Sequence, residues 1–110
     1  MKLFDYNVEV MDTSFKKFRG LMFRKKCDTV LIFPLDHESR LEASIHSFFC
    51  PRFDVAFVDK QKKIVDLREN VRPWVPNITP KKASSFVVEM PPGTVKKQKL
   101  SIGKKLDFTT

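Results

Sequence analysis

The stretch "DVAFVDKQKKIVDLREN", residues 54–70, decides the fold. Its first six residues are apolar on both sides of an extended chain, as a strand buried on two faces would be. "DKQKK" is a polar turn, and "IVDLREN" returns as the partner strand. A hairpin at the centre of a short chain sets the expectation for the segments on either side.

Immediately upstream, "LEASIHSFF" (41–49) sets Leu41, Ala43 and Ile45 against Glu42, Ser44 and His46, then turns apolar on both sides at Phe48 and Phe49. After Cys50-Pro51 it meets the hairpin, so "IHSFFCPRFDVAFVD" is read as two core strands joined by a bend. Further back, "DTVLIFPLD" is a buried strand stopped by Pro34 and followed by the charged turn "LDHESR". At the start, "LFDYNVEVM" alternates Phe4, Tyr6, Val8 and Val10 with Asp5, Asn7 and Glu9, a half-buried strand. In "DTSFKKFRGLMFR" the period changes. Asp12 or Thr13 can cap a short helix, Phe15 and Phe18 share a face, and Gly20 ends it. Downstream, "VRPWVPNITPKK" carries three prolines in eight residues and reads as an extended loop. "SSFVVEM" is a further strand, "PPGTVKKQKL" starts a helical turn, and "IGKKLDF" closes the chain as a strand. The expected fold is mostly β (α+β at the margin): a single-domain β-sandwich or barrel over residues 1–110, with about seven short strands and one or two short helices.

Composition agrees. Apolar residues make up 42% of the 110, and Phe alone occurs 11 times, enough aromatic surface for one core. No apolar run is long enough to cross a bilayer. Acidic residues at positions 5 and 9 occupy the place of a signal peptide's apolar segment, so cytoplasmic residence is expected and a membrane partner is not. In such a compartment Cys27 and Cys50 stay as thiols. Neither has the close ligand spacing of a zinc site beyond His46 with Cys50, and no metal or cofactor is expected. The net charge of +8 favours anionic partners.

Several segments in this order resemble one known family: "RGLMFR" at 19–24, "IHSFF" at 45–49, "DVAFVD" at 54–59, "IVDLRENVRPW" at 64–74 and "FVVEMPPGTVKKQKLSIGKKL" at 86–106. Together they look like domain of unknown function 192 in its archaeal-type form, over nearly the whole chain. The resemblance implies a small mostly-β fold of sandwich type with a short helix carrying "RGLM", and no established activity.

Four residues interrupt apolar segments and are the candidate ligand-binding set: Arg19, His46, Asp54 and Trp74. His46 is either a hydrogen-bonded residue at the core's rim or a proton carrier. Asp54 opens an apolar strand, where a carboxyl needs a donor, and the planar fork of Arg19 is the natural one. That pair could be structural or part of a site. Trp74 either walls a groove or clamps its loop to the sheet. Cys50 reads as core, because residues i and i+4 of a strand lie about 13 Å apart and His46 cannot reach it without a bend. Glu89, just before "MPPGT", reads as a structural carboxylate near a helix start. The basic residues form two groups, Lys16, Lys17, Arg19, Arg24, Lys25, Lys26 and Lys96, Lys97, Lys99, Lys104, Lys105, which would hold phosphates if they converged on one face. The leading reading is a non-enzymatic binding module with a polar pocket at the sheet's edge. The alternatives are a basic protein associated with nucleic acid and a hydrolase using His46 with Asp54.

Overall fold

The computed structural model describes residues 2–109, apart from the side chains of Ser14, Phe15 and Phe18. The expected shared face of Phe15 and Phe18 therefore lies outside the described residues. In chain order the elements are β1 (Lys2–Leu3), β2 (Tyr6–Val10), α1 (Ser14–Arg19), β3 (Val30–Ser39), β4 (Phe53–Val58), β5 (Ile64–Val71), β6 (Ser84–Met90) and α2 (Thr94–Lys97). The fold is mostly β, and these strands join in one open six-stranded sheet of order β1-β2-β3-β6-β4-β5. Pairing is antiparallel except between β2 and β3, which run parallel with α1 in their connection.

Strand β4 lies between β5 and β6, and all six of its residues are buried. Alternation sends them to opposite sides of the sheet. Phe53, Val55 and Phe57 join Leu31, Phe33 and Val87 on what we call the front face. Ala56 and Val58 join Val30, Ile32, Val88 and Met90 on the back. Non-strand segments cover both faces. Leu21, Cys27, Ala43, Cys50 and Ile78 close the front, and Val95, Leu100, Leu106 and Phe108 close the back. The layered core expected of a sandwich is thus built on a single sheet with two apolar faces.

The hairpin at 54–70 forms as expected. Asp59 turns the chain by accepting from the Gln61 and Lys63 amides through Oδ1, each at 2.9 Å. Helix α1 begins and ends where its signals stand: Thr13 Oγ1 accepts from Lys16 N at 3.1 Å, and Gly20 follows the last turn with φ 47° and ψ −123°.

Four expected strands differ. "LFDYNVEVM" is two strands, because Phe4 (φ 55°) and Asp5 (φ 64°) form a tight turn that pairs Leu3 with Tyr6 and Lys2 with Asn7. Positive φ at both central residues suits a two-residue hairpin, but Phe is not the residue that announces one. Pro34 does not stop β3, which continues to Ser39. Strand β2 pairs only with Val30–Ile32, so beyond Ile32 that edge of β3 is open, the situation in which a strand tolerates proline. "LEASIHSFF" is a loop with one bridge, Ile45 to Ile78. Its order comes from buried Ser47, whose Oγ donates to Arg72 O at 2.7 Å and accepts from Val75 N at 2.8 Å. "IGKKLDF" makes one bridge, Lys63 to Lys105, and is anchored by burying Leu106 and Phe108.

Candidate functional site

The site is a cavity of about 220 Å³ on the front face, beneath the turn that ends α1. Its sequence origin is the "RGLM" segment. Gly20 leaves the helix at positive φ, and a Cβ there would stand 3.1 Å from Phe33 Cζ and 3.9 Å from Glu89 Oε1. The missing side chain lets the turn lie directly over β3 and β6. Arg24 fixes the far end of the turn to β2: its two terminal nitrogens donate to Glu9 at 2.7 and 3.1 Å. Thr29 Oγ1 adds a third bond at 3.1 Å. The Arg24 hydrogen bond is the chief reason the Glu9 carboxyl is held below its usual range.

The floor of the cavity is Glu89. In "FVVEM", Val88 and Met90 point to the back of the sheet, so strand alternation turns Val87 and Glu89 to the front. Glu89 is only 5% exposed, and among the described residues its carboxyl has no hydrogen-bond partner. Burial pushes it up to about 8, opposed only by the more distant charge of Arg24. Burial thus favours its protonated form. Cys50 also lines the cavity, and its thiol and that of Cys27 are pushed up to about 12, first by burial and then by the Glu89 charge. Neither is a nucleophile near neutrality. Both cysteines are free.

The four candidate residues separate. Arg19 and His46 both line the cavity, together with Lys17, Ser44 and Glu42. His46 Nδ1 accepts from Phe48 N at 3.1 Å, which leaves Nε2 to carry the ring hydrogen. Asp54 points to the back and is fully buried. Its Oδ1 accepts from Asn70 N at 2.7 Å and its Oδ2 from Val95 N at 2.9 Å. The expected Arg19–Asp54 pair is therefore not made, because two backbone amides already occupy the carboxyl while Arg19 stands exposed at the front. The roles expected of Asp54 and Glu89 are exchanged: Asp54 serves the start of α2, and Glu89 faces the cavity. For the same reason His46 and Asp54 form no dyad.

Trp74 neither clamps its loop nor enters the cavity. It is 59% exposed, beside Phe23 at 66% and Phe49 at 51%. The ring centroids of Phe23 and Phe49 are 5.0 Å apart, and those of Phe49 and Trp74 4.8 Å. Phe48 continues the contact from Trp74 at 6.2 Å to His46 at 5.1 Å. All three exposed aromatics have positive φ, at 66°, 58° and 71°. Such backbone is costly for bulky residues and persists where surrounding bonds enforce it. Here Phe23 N donates to Phe49 O at 2.8 Å and Trp74 N to Ser47 O at 3.1 Å. Nothing in the alternation of the sequence separates these aromatics from the core ones.

The two basic groups do not converge. Lys17 and Arg19 border the front cavity, whereas Lys96 and Lys97 stand on α2 over the back. Among the described residues no three His, Cys, Asp or Glu side chains are grouped to hold a metal ion. None of the helices described there is long and apolar enough to cross a membrane.

The family model DUF192, described as "Uncharacterized ACR", matches residues 2–108. The chain belongs to the DUF192 family. A UPF0127 protein of Thermococcus sibiricus is 38% identical over 108 residues, covering 97% of this chain and 69% of the relative. A UPF0127 protein of Pyrococcus abyssi is 39% identical over 104 residues, covering 94% of this chain and 86% of the relative. The expected archaeal-type DUF192 membership is thereby established. Among solved structures, a protein of unknown function from Novosphingobium aromaticivorans superposes with a TM-score of 0.83 at 20% identity, over 94% of this chain and 75% of that one. At that identity the likeness shows a shared DUF192-like fold alone.

Proposed function

We propose that this DUF192 protein is a non-enzymatic binding module for a small molecule, with the front cavity as its site. The observation that carries the reading is Glu89: a nearly buried residue on the floor of a cavity between apolar walls, its carboxyl open to the cavity and bonded to no described protein group. Among the described residues no side-chain polar atom sealed from solvent lacks a partner, so the Glu89 carboxyl opens onto the cavity and is left to bond whatever fills it. Arg19, Lys17 and His46 supply polar groups around it, and outside the cavity Phe48 lies between Trp74 and His46.

Thermal unfolding with a panel of small carboxylates, amines, amino acids, sugars and nucleobases tests this. A ligand at about ten times its Kd adds about 1.4 kcal/mol, which raises the Tm of a domain this size by several degrees. The shift is expected to shrink in Glu89→Gln and in Arg19→Ala. If no compound shifts the wild type, or if the shift survives at full size in both variants, the reading is wrong.

One observation favours a second reading. The exposed Phe23, Phe49 and Trp74 could stack on the bases of a single-stranded nucleic acid, with the positive net charge drawing in its phosphates. Trp74 is the sole tryptophan, so its fluorescence reports this surface. Quenching by oligonucleotides at low salt that weakens steeply as salt rises is the expected signature. An unchanged spectrum at low salt removes this reading.

A further inference from the structure

We infer that the cavity accepts a small zwitterion of the amino-acid kind, its amine against Glu89 and its carboxylate toward Arg19 and Lys17. This rests on the binding-module reading and names its ligand class.

Size comes first. A volume of about 220 Å³ is the room of about seven waters at ~30 Å³ each, below the ~300–1,000 Å³ of drug-sized pockets. The ligand is compact. Its middle is apolar, because the walls between floor and mouth include Leu21, Phe33, Ile45 and Val87.

Charge comes second. Glu89 lies in a low-dielectric site where an opposite charge at close range is worth far more than in water. Arg24, the cation whose charge acts on Glu89, has its guanidinium committed to Glu9 by two hydrogen bonds. An ammonium entering the cavity would give Glu89 the donor it lacks. At the mouth the situation is reversed. Among the described residues, neither Lys17 nor Arg19 takes part in an ion pair, while Glu42 beside them is 3.2 Å from His37 Nε2. Two cations are left to receive an anion, and the Arg19 fork matches a carboxylate through paired hydrogen bonds. A floor that turns negative when an ammonium pairs with it, apolar walls and a positive mouth describe a ligand with a cation at one end and an anion at the other.

Pairing with an ammonium ionises Glu89, so binding releases a proton below about pH 8 and tightens as pH rises toward that value. The groups that face Glu89 are Lys17, Arg19 and Arg24 around the α1 turn, Cys27 before β3, and Glu42, His46 and Cys50 from the 41–50 loop. The residues opposite it on β3 and β4, Leu31 and Val55, bring no charge. The thiols stay protonated through neutrality, and a His46→Asn variant isolates the contribution of the imidazole.

Calorimetry on the full chain tests the proposal with matched ligands: amino acids, the same skeletons without the amine, and the same skeletons without the carboxylate. Removing the amine is expected to weaken binding about tenfold or more, and removing the carboxylate several-fold. The affinity of the amino acid should rise with pH by up to about tenfold per unit, with proton release seen between buffers of different ionisation heat. Glu89→Gln should lose the amine preference and keep the carboxylate preference, and Arg19→Ala should do the reverse. A carboxylic acid that binds the wild type as tightly as its amino acid overturns the proposal. So does an affinity that falls with rising pH in both the wild type and His46→Asn. A sugar or nucleobase bound in a Glu89-dependent way overturns the zwitterion and leaves the binding module standing. No binding by any compound overturns both.

Discussion

Replacing Glu89 with glutamine is expected to stabilise the protein, by an amount that grows as pH rises to about 8. The unfolded carboxyl titrates near its ordinary 4.5, and burial in the folded chain moves it to about 8. Below 4.5 both states carry the proton and the group adds no slope. Between the two values the folded state keeps a proton that the unfolded state has lost, so wild-type stability falls with pH. Above about 8 the loss is complete. A gap from 4.5 to about 8 corresponds to about 5 kcal/mol at about 1.4 kcal/mol per pH unit. Glutamine does not titrate, so its urea-unfolding free energy should lack this slope. Wild-type and Glu89→Gln profiles that run parallel across this range would show that the carboxyl is not held protonated.

Replacing Asp54 with alanine is expected to do the opposite, at every pH where the protein folds. The side chain binds the part-buried amide of Asn70 at 2.7 Å and the buried amide of Val95 at 2.9 Å. The first lies where β5 shifts register against β4 and Asn70 takes φ 48°, so the ladder itself offers that amide no acceptor. The second starts α2. Leaving the buried Val95 donor unpaired costs about 1–3 kcal/mol, and the part-buried Asn70 amide, which water can reach, adds less. At about 4–8 °C per kcal/mol the Tm should fall by about 5 °C or more. Asp54→Asn keeps one acceptor and should lose roughly half as much. A Tm for Asp54→Ala equal to that of the wild type would mean these bonds contribute nothing.

The two acids show what a sequence discloses and what it hides. Local signals were legible where one residue type has one geometric use: Thr13 and Gly20 bracket α1, Gly93 takes φ 91° before α2, and the polar run 59–63 turns the hairpin. The mostly-β class followed from alternation and from the order of family motifs. Which face a residue takes was harder to read. Asp54 and Glu89 both interrupt apolar strands, and parity separates each from its neighbours, yet only the register of β4 against β6 says which side carries a cavity and which carries α2. Arg19 and His46 were legible as polar residues at an apolar margin and do meet at one cavity. Glu89 was not, because its likeness to a helix-start carboxylate masked the signal of an acid between Val88 and Met90. The exposed aromatics were hidden for a related reason. Positive φ at Phe23, Phe49 and Trp74 is imposed by bonds between loops distant in sequence.

The sheet order carries one more consequence, for how the chain assembles. β6 is the last strand in sequence, yet it sits between β3 and β4 and pairs with both. During synthesis two separate pieces, β1-β2-β3 and β4-β5, must wait with one hydrophobic edge each until residues 84–90 leave the ribosome. The final strand is the keystone that joins them, and the same step builds the cavity floor, because Glu89 arrives with it. Contacts this distant along the chain slow folding and leave unpaired edges open to other chains in the interval.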